Sequence, residues 1–279
     1  DIAIKNGYKV INDFFTPNIA REILKDFGMP KIITATNVFV HVDDMDNFIK
    51  SFKILTGEGS VIVIEVSYLI DLIDKNIFDT VYHEHLCYLS LTPLVKYLKK
   101  FKLEVFDVER LSFGASGPAI RVFIQELNGK EKISNNVSKM LKSEQNWGVN
   151  NLEKYNEFKH KVETIKNTVN DIISEKKKIG IKIGGYGAPA KGNTLLNYFN
   201  LNEKLIDCIA DTNPLKQGKV TPGSHIPVVS ERSFLEKKFD FALLLTWNYL
   251  DFFLKNSDYI KDGGKFIVPI PKPTIKPSK

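Results

Sequence analysis

The sequence predicts an α/β protein made of two Rossmann-like units, and three observations support this prediction. Short β-branched segments alternate with amphipathic segments over the first hundred residues, as in parallel strands joined by helices. Two strand-like segments then follow one another with no helix between them, which is typical of an antiparallel hairpin at a sheet edge. After a polar helical stretch, a strand, a Gly-rich turn and a helix begin a second unit near Ile181.

The elements of the first unit can be placed in order. A helix is expected to begin at Thr16-Pro17, because Thr caps a helix N-terminus and Pro suits its first turn. The same pair at Thr92-Pro93 predicts another helix. The predicted strands are 8–11, 31–36, 60–66, 103–111 and 119–125, with a further helix from Asp44 to Leu55 between the second and the third.

In the second half, residues 128–178 are polar but carry apolar side chains at helical spacing, which predicts an amphipathic helix that docks the following unit. The predicted strands begin at Ile181 and cover 205–211, 239–249 and 265–271. The tail from Pro269 is rich in Pro and Lys and is expected to fray. We therefore divide the chain into two predicted domains, 1–126 and 127–279.

The composition limits the classes of function. The formal net charge is +6, but the cations are almost all Lys and are spread along the chain, so nucleic-acid binding is not favoured. No apolar run approaches the roughly 18 residues that a membrane span requires. Cys87 and Cys208 are the only cysteines and suggest no disulfide framework, which fits a reducing cytoplasm. The sequence indicates no particular oligomeric state.

The segment from Phe78 to Tyr88, FDTVYHEHLCY, concentrates side chains that can handle a proton. It follows the predicted strand 60–66 and is therefore expected as a loop over the carboxyl end of the first sheet, where open α/β sheets bind substrates. Imidazole titrates near neutral pH, and a phenol or carboxyl beside it can relay a proton, so the segment suits general acid/base chemistry. Its polar members are Asp79, Tyr82, His83, Glu84, His85, Cys87 and Tyr88.

Three other interpretations of this segment stay open. Its aromatic and His side chains could simply satisfy the backbone groups of a loop. His83, His85 and Cys87 could bind a metal, but their spacing does not give the His-Glu-x-x-His arrangement of zinc enzymes. Cys87 could act as a nucleophile, although no Gly-rich oxyanion turn adjoins it.

The turn GGYGAPAKG at 184–192 fits the pattern G-x-G-x-x-A. Its backbone amides and the following helix N-terminus would accept a phosphate, Lys191 would pair with that phosphate, and Asp211 would reach a ribose hydroxyl. The turn is not a Walker A loop, because Asn193 stands where that loop requires Lys. Gly-rich turns between a strand and a helix also occur where nothing binds.

Three stretches resemble the sugar C-methyltransferases of nucleotide-deoxysugar pathways: YHEHLCYLSL at 82–91, GYGAPAKGNTLLNYF at 185–199 and DTNPLKQGKVTPGSHIPV at 211–228. LLLTWNY at 243–249 extends the resemblance, which covers essentially the whole chain. These enzymes transfer a methyl group from S-adenosylmethionine to a carbon next to the keto group of a dTDP-linked deoxysugar. The resemblance implies a class I methyltransferase sheet with the edge hairpin, followed by a Rossmann-like domain that helps to hold the sugar nucleotide.

Members of that family also have a small zinc-binding region, a Gly-rich donor loop and an acid that binds the donor ribose. The resemblance places all three before Asp1, outside this sequence. We therefore expect a truncated methyltransferase domain that binds S-adenosylmethionine poorly by itself, and no zinc site in these residues.

The resemblance assigns few residues. The catalytic Tyr and His of the YHEH motif fall on Tyr82 and His85, and a further active-site His falls on His41. Asn37, in the same turn as His41, is expected to contact the donor. A Gly-Gly-Ser-Leu-Arg segment of the family is replaced here by ASGPAIR at 115–121. The residues expected to bind the sugar nucleotide are His83, Glu84, Arg121, Gly185, Tyr186, Gly187, Lys191, Asn193, Asp211, Trp247 and Asn248.

The implied chemistry agrees with the residues. Methylation of carbon needs a base that removes the acidic proton beside the carbonyl, and a hydrogen-bond donor that stabilises the enolate. His85, Tyr82 and His41 form a sufficient set, although the sequence does not decide which one takes the proton. Two alternatives are retained: an NAD-dependent oxidoreductase or epimerase that uses the Gly-rich turn, and a non-catalytic protein that binds a sugar nucleotide.

Overall fold

The computed structural model describes residues 1–114 and 117–277. The chain forms two compact units whose segments alternate along the sequence. Unit 1 comprises Asp1–Leu69 and Leu86–Val149, and unit 2 comprises Ile70–His85 and the residues from Asn150 onward. The predicted α/β class is confirmed, because each unit contains one sheet together with helices.

Unit 1 is built on a mixed four-stranded sheet. Its strands are β1 (Ile32–Thr36), β2 (Val61–Ser67), β3 (Leu103–Gly114) and β4 (Gly117–Glu126), in the order β1-β2-β4-β3. β1 and β2 are parallel, whereas β4 is antiparallel to both β2 and β3. The predicted hairpin at the edge of a parallel pair is therefore confirmed.

The described helices of the first 149 residues include the three predicted ones, although the helix predicted at Thr92-Pro93 begins at Leu91 with Ser90 as its N-cap. They are α1 (Ile2–Lys5), α2 (Pro17–Phe27), α3 (Met45–Ile54), α4 (Leu69–Asp74), α5 (Leu91–Lys99) and α6 (Asn135–Trp147). The Thr16 hydroxyl accepts from the backbone N–H of Ile19 over 3.4 Å at the start of α2. The prediction of a strand at 8–11 is wrong, since this segment is exposed and pairs with no other strand.

Glu144 of α6 fixes the start of α5. Its fully buried carboxylate accepts from the backbone N–H groups of Leu91 and Thr92, each over 2.7 Å, and from the Thr92 hydroxyl over 2.5 Å. A carboxylate at a helix N-terminus satisfies unpaired amides and interacts favourably with the helix dipole. This anchoring explains why residues 127–149, which the sequence assigned to the second domain, fold with unit 1.

Unit 2 contains a six-stranded, mostly parallel sheet. Its strands are β5 (Ile183–Tyr186), β6 (Ile209–Ala210), β7 (Val228–Val229), β8 (Phe241–Leu244), β9 (Lys265–Val268) and β10 (Thr274–Lys276), in the order β10-β9-β8-β5-β6-β7. β6 and β8 flank β5, so the strand order reverses there and creates a topological switch point. The prediction that the tail frays is wrong, because β10 pairs antiparallel with β9.

Unit 2 contains most of α4 and, from residue 150 onward, α7 (Leu152–Lys178), α8 (Ala190–Phe199), α9 (Glu231–Glu236), α10 (Leu250–Asn256) and α11 (Asp258–Lys261). α7 buries Val162, Ile165, Val169 and Ile173, which confirms the predicted amphipathic helix over its second half. No described helix combines the length and the apolar character that crossing a membrane would require.

Candidate active site

The segment with the YHEH motif folds onto unit 2. Residues Phe78–Thr80 form a 3-10 turn, and the Phe78 ring stacks on Phe199 of α8 with centroids 5.4 Å apart. The Tyr198 ring lies 5.9 Å from the same ring. The sequence placed this segment over the first sheet, but these aromatic contacts group Ile70–His85 with the second unit instead.

Tyr82 and His85 form a hydrogen-bonded pair. Nδ1 of His85 lies 2.8 Å from the carbonyl oxygen of Thr80, and a carbonyl can only accept, so Nδ1 carries a proton. In the neutral ring Nε2 is then an acceptor, and it lies 3.2 Å from the Tyr82 hydroxyl. The Tyr82 O–H therefore donates to His85, and the two rings lie 4.3 Å apart between centroids.

The environment keeps Tyr82 protonated. Burial raises the pKa of its hydroxyl, and the carboxylates of Glu84 and Asp79 raise it further. A free tyrosinate is thus disfavoured, which favours loss of the Tyr82 proton together with proton uptake by His85. The pair is suited to move a proton from a ligand to Nε2 through the phenol.

Asp79, close to this pair in the sequence, belongs to a buried polar cluster with Lys191 and with the 3-10 turn Trp247–Tyr249 that follows β8. The Asp79 carboxylate is fully buried and accepts from the indole N–H of Trp247 over 2.7 Å. Lys191 Nζ lies 3.9 Å from the same carboxylate oxygen and 4.1 Å from the Trp247 ring centre. Lys191 also donates to Asn248 Oδ1 over 2.8 Å. The structure thus brings together three residues predicted to bind the sugar nucleotide and supplies Lys191 with protein partners.

The Gly-rich turn also uses its polar groups internally. The backbone N–H of Gly187 donates to the Ala210 carbonyl, and that of Ala188 donates to Asp211 Oδ2, each over 2.8 Å. The other carboxylate oxygen of Asp211 accepts from the N–H of Asn213 over 2.8 Å. These two turn amides and Asp211 are therefore not freely presented to a phosphate or a ribose, as the sequence suggested.

A cavity of about 370 Å³ opens beside this turn at the switch point of the unit 2 sheet. Asp211 and Glu231 supply its acidic groups, and the aromatic rings of Phe252 and Phe253 line it as well. The Tyr186 hydroxyl contacts Glu231 and Ser257, and burial together with Glu231 raises its pKa. With carboxylates and rings but no Lys or Arg in its lining, this cavity suits a base or sugar ring better than a pyrophosphate.

The predicted catalytic residue His41 and the predicted donor contact Asn37 belong to unit 1. His41 ends the 3-10 turn Phe39–His41 and is exposed. Asn37 follows β1 with φ 54°, and its backbone N–H donates to the Glu65 carbonyl over 2.9 Å. Its side chain is half-buried. The described part of unit 1 contains no Gly-rich turn between a strand and a helix.

The remaining predicted residues have varied surroundings. Arg121 of β4 pairs with Glu65 of β2 over 2.8 Å and with Glu109 of β3 over 3.3 Å. His83 and Glu84 are exposed, and Asn193 is half-buried in the first turn of α8. Gly185 is buried within β5. The replaced segment 115–121 begins with two residues that lie outside the described part of the chain.

Within residues 1–114 and 117–277, no three His, Cys, Asp or Glu side chains are grouped so that they could hold a metal ion. Cys87 is half-buried, and burial raises the pKa of its thiol, which disfavours the thiolate that a nucleophile needs.

Comparison with known proteins gives the family. A family model described as the C-methyltransferase C-terminal domain matches residues 114–271, more than half of the chain. The chain belongs to this family. The match includes the Gly-rich turn, Asp211 and Trp247, whereas the YHEH motif precedes it.

The chain is also similar to the C-methyltransferase NovU of Streptomyces niveus, with 32% identity over 275 residues. The alignment covers 98% of this member of the C-methyltransferase family but 65% of NovU, so the chain spans about two thirds of the length of that relative. A solved SAM-dependent methyltransferase from Anabaena variabilis ATCC 29413 is 14% identical. It covers 43% of this chain and 58% of its own, with a TM-score of 0.32, and nothing follows from so weak a likeness.

Sequence reasoning assigned no role to four contributors: Asp79, the Thr80 carbonyl, Glu231 and Ser257. Asp79 was noted only as one of several polar side chains, and the Thr80 carbonyl gives no signal because a backbone group has no sequence signature. Glu231 and Ser257 of the cavity lie 45 and 71 residues after Tyr186 in the sequence, so only folding reveals their contact with it.

Proposed function

We propose that this protein takes part in the transfer of a methyl group from S-adenosylmethionine to a carbon beside the keto group of a nucleotide-linked deoxysugar. Family membership supports C-methylation. The observation that supports the roles of individual residues is the hydrogen bond between the Tyr82 hydroxyl and Nε2 of His85. The other ring nitrogen of His85 is hydrogen-bonded to the Thr80 carbonyl.

In this proposal Tyr82 and His85 remove the proton as one unit. The substrate C–H bond breaks, its proton bonds to the Tyr82 oxygen, and the original phenolic proton moves to Nε2 of His85. The products are an enolate and an imidazolium whose Nδ1–H still binds the Thr80 carbonyl. A positioned acid/base group of this kind contributes roughly 10²- to 10⁴-fold in rate.

The enolate needs a donor and an electrophile. His41 is the proposed donor to the enolate oxygen, a role in which a positioned group can contribute about 3 kcal/mol. S-adenosylmethionine supplies an electrophilic methyl group on its sulfonium, and Asn37 would hold a polar part of that molecule. Water must be kept from the enolate carbon, because protonation would return the starting ketone.

We assign the nucleoside end of the substrate to the cavity beside Gly187. Aromatic rings of Phe252 and Phe253 suit a base, and the acidic side chains suit hydroxyl or N–H donors. The other predicted contacts, including Arg121, His83, Glu84 and Asn193, remain proposals for the same substrate.

The experiment is a methyl-transfer assay with methyl-labelled S-adenosylmethionine and a dTDP-linked keto-deoxysugar. We expect His85→Asn to reduce the rate at least about 100-fold. The matched control is His160→Asn, which changes an exposed His on α7 that contacts Glu163 and should leave the rate unchanged. A measurable rate of methyl transfer that is equal in His85→Asn and in the unchanged protein would reject the assignment.

A further inference from the structure

We propose that Asp79 is a positioning residue for the Tyr82–His85 pair, held in place by Trp247 and Lys191. The inference rests on the proposed function of that pair. It assigns a role to a cluster that family membership alone does not explain.

The first observation is that the Asp79 side chain is buried with one of its two carboxylate oxygens unsatisfied. It is fully buried, and its Oδ2 accepts from Trp247 while its Oδ1 has no hydrogen-bond partner among the described residues. A buried carboxylate with an unsatisfied oxygen is costly, whereas an apolar side chain of similar size would fill the same space without that cost. Packing alone therefore does not account for an acid here.

The second observation is a continuous series of contacts from the 3-10 turn Trp247–Tyr249 to the catalytic pair. The Trp247 N–H holds Asp79 in the 3-10 turn Phe78–Thr80. The next residue, Thr80, presents its carbonyl to Nδ1 of His85 over 2.8 Å. Nε2 of His85 then accepts from Tyr82. Displacing Asp79 would move the carbonyl that selects the His85 tautomer.

The third observation concerns charge. Lys191 places its ammonium 3.9 Å from the Asp79 carboxylate and over the Trp247 ring, so the cluster contains the opposite charge that a buried acid needs. Burial raises the pKa of Asp79, and Lys191 and Trp247 both oppose that shift. Lys191 and Trp247 thus favour the ionised, hydrogen-bonded form that holds the turn.

The test measures the His85 tautomer directly in this chain. Two-bond ¹H–¹⁵N NMR of ¹⁵N-histidine-labelled protein distinguishes the Nδ1–H from the Nε2–H form, with the His85 signal assigned by its loss in His85→Asn. We expect the Nδ1–H form to dominate in the unchanged protein and the Nε2–H form to gain population in Asp79→Ala. Asp79→Asn retains an acceptor for Trp247 and should largely restore the Nδ1–H form.

A matched control and a second variant distinguish the positioning role of Asp79 from a purely structural role. Asp71→Asn removes another buried acid, which pairs with Lys75 over 3.3 Å, and should leave the His85 tautomer unchanged. Trp247→Phe keeps an aromatic ring but removes the N–H donor, and should shift the tautomer as Asp79→Ala does. Trp247→Phe serves as the test if circular dichroism shows that Asp79→Ala is unfolded.

The same variants are assayed for deuterium exchange at the substrate carbon. We expect Asp79→Ala to lower kcat for exchange about tenfold or more, with KM for the sugar nucleotide little changed. An unaltered His85 tautomer in both folded Asp79→Ala and Trp247→Phe would overturn the positioning role, whatever the exchange rate. If the unchanged protein catalyses no exchange while the variants still shift the His85 tautomer, the positioning role is supported and the proposed function is rejected.

Discussion

The hydroxyl of Tyr82 lies 3.2 Å from Nε2 of His85, while the other nitrogen of that ring is bound to Thr80. This arrangement makes His85 the acceptor and Tyr82 the donor, an order that the sequence could not decide. It also makes the pair dependent on a backbone carbonyl, and so on the turn that Asp79 anchors.

Gly187→Ala should destabilise unit 2 and weaken nucleotide-sugar binding. Gly187 has φ 79°, and an added Cβ would lie 2.5 Å from Thr246 Oγ1. A left-handed Ala costs roughly 1–2 kcal/mol, and the clash adds to that. Gly263→Ala is the control, because Gly263 has φ 90° but open space around its Cβ position. Urea denaturation of the two variants should show the larger loss for Gly187→Ala, and equal losses would contradict the close contact.

Glu144→Gln should lower the free energy of unfolding by about 1.5–3 kcal/mol, because hydrogen bonds to a buried charged group are lost. The amide can still accept, but its NH₂ faces donors at the start of α5. Glu175→Gln on the exposed face of α7 should change stability by less than about 0.5 kcal/mol. Denaturant unfolding measures both, and a small loss for Glu144→Gln would argue against the cap.

The stability of Asp79→Asn relative to the unchanged protein should depend on pH. Burial raises the Asp79 pKa above the ordinary value of 3.8, so the folded state binds more protons than the unfolded state in the interval between the two values. Stability from this group is present below 3.8 and is lost as pH rises through the raised pKa. The charged and titratable groups that interact with this carboxyl, Lys191 and Tyr82, are present in both proteins, so the comparison isolates the substituted carboxyl. Urea denaturation at acidic and neutral pH should show Asp79→Asn gaining relative stability at the higher pH.

NADH should not bind saturably. The N–H of Gly187 and both oxygens of Asp211 are engaged within the protein, so the turn lacks the free groups that a dinucleotide requires. Fluorescence titration with NADH tests this, with calorimetry of the dTDP-sugar as the positive comparison. Saturable NADH binding would favour the oxidoreductase or epimerase alternative.

Local signals predicted much of the fold. Thr16-Pro17 marks the start of α2 because capping depends on a few adjacent residues. The helix predicted at Thr92-Pro93 is present, but it begins at Leu91 with Ser90 as its N-cap. The prediction of a strand at 8–11 was wrong because a strand also needs a neighbouring strand to pair with. β10 was missed because its pairing with β9 outweighs the low strand propensity of the local Pro and Lys residues.

The candidate site was predicted as residue types but not as an arrangement. Tyr82 and His85 are three residues apart, so the sequence could pair them. Asp79 meets Trp247 across 168 residues of chain, and such a contact has no local signature. Lys191 illustrates the same limit, since its pairing with Asn248 depends on how β8 and α8 are placed in unit 2.

The most direct test of the account is solvent deuterium exchange into the substrate without a methyl donor. The protein is incubated with the dTDP-linked keto-deoxysugar in D₂O, and deuterium at the carbon beside the carbonyl is followed by ¹H NMR against a protein-free sample. We predict exchange well above that background and a loss of at least about 100-fold in Tyr82→Phe. Exchange that is equally fast in Tyr82→Phe, or no faster with the protein than without it, would contradict the Tyr82–His85 mechanism.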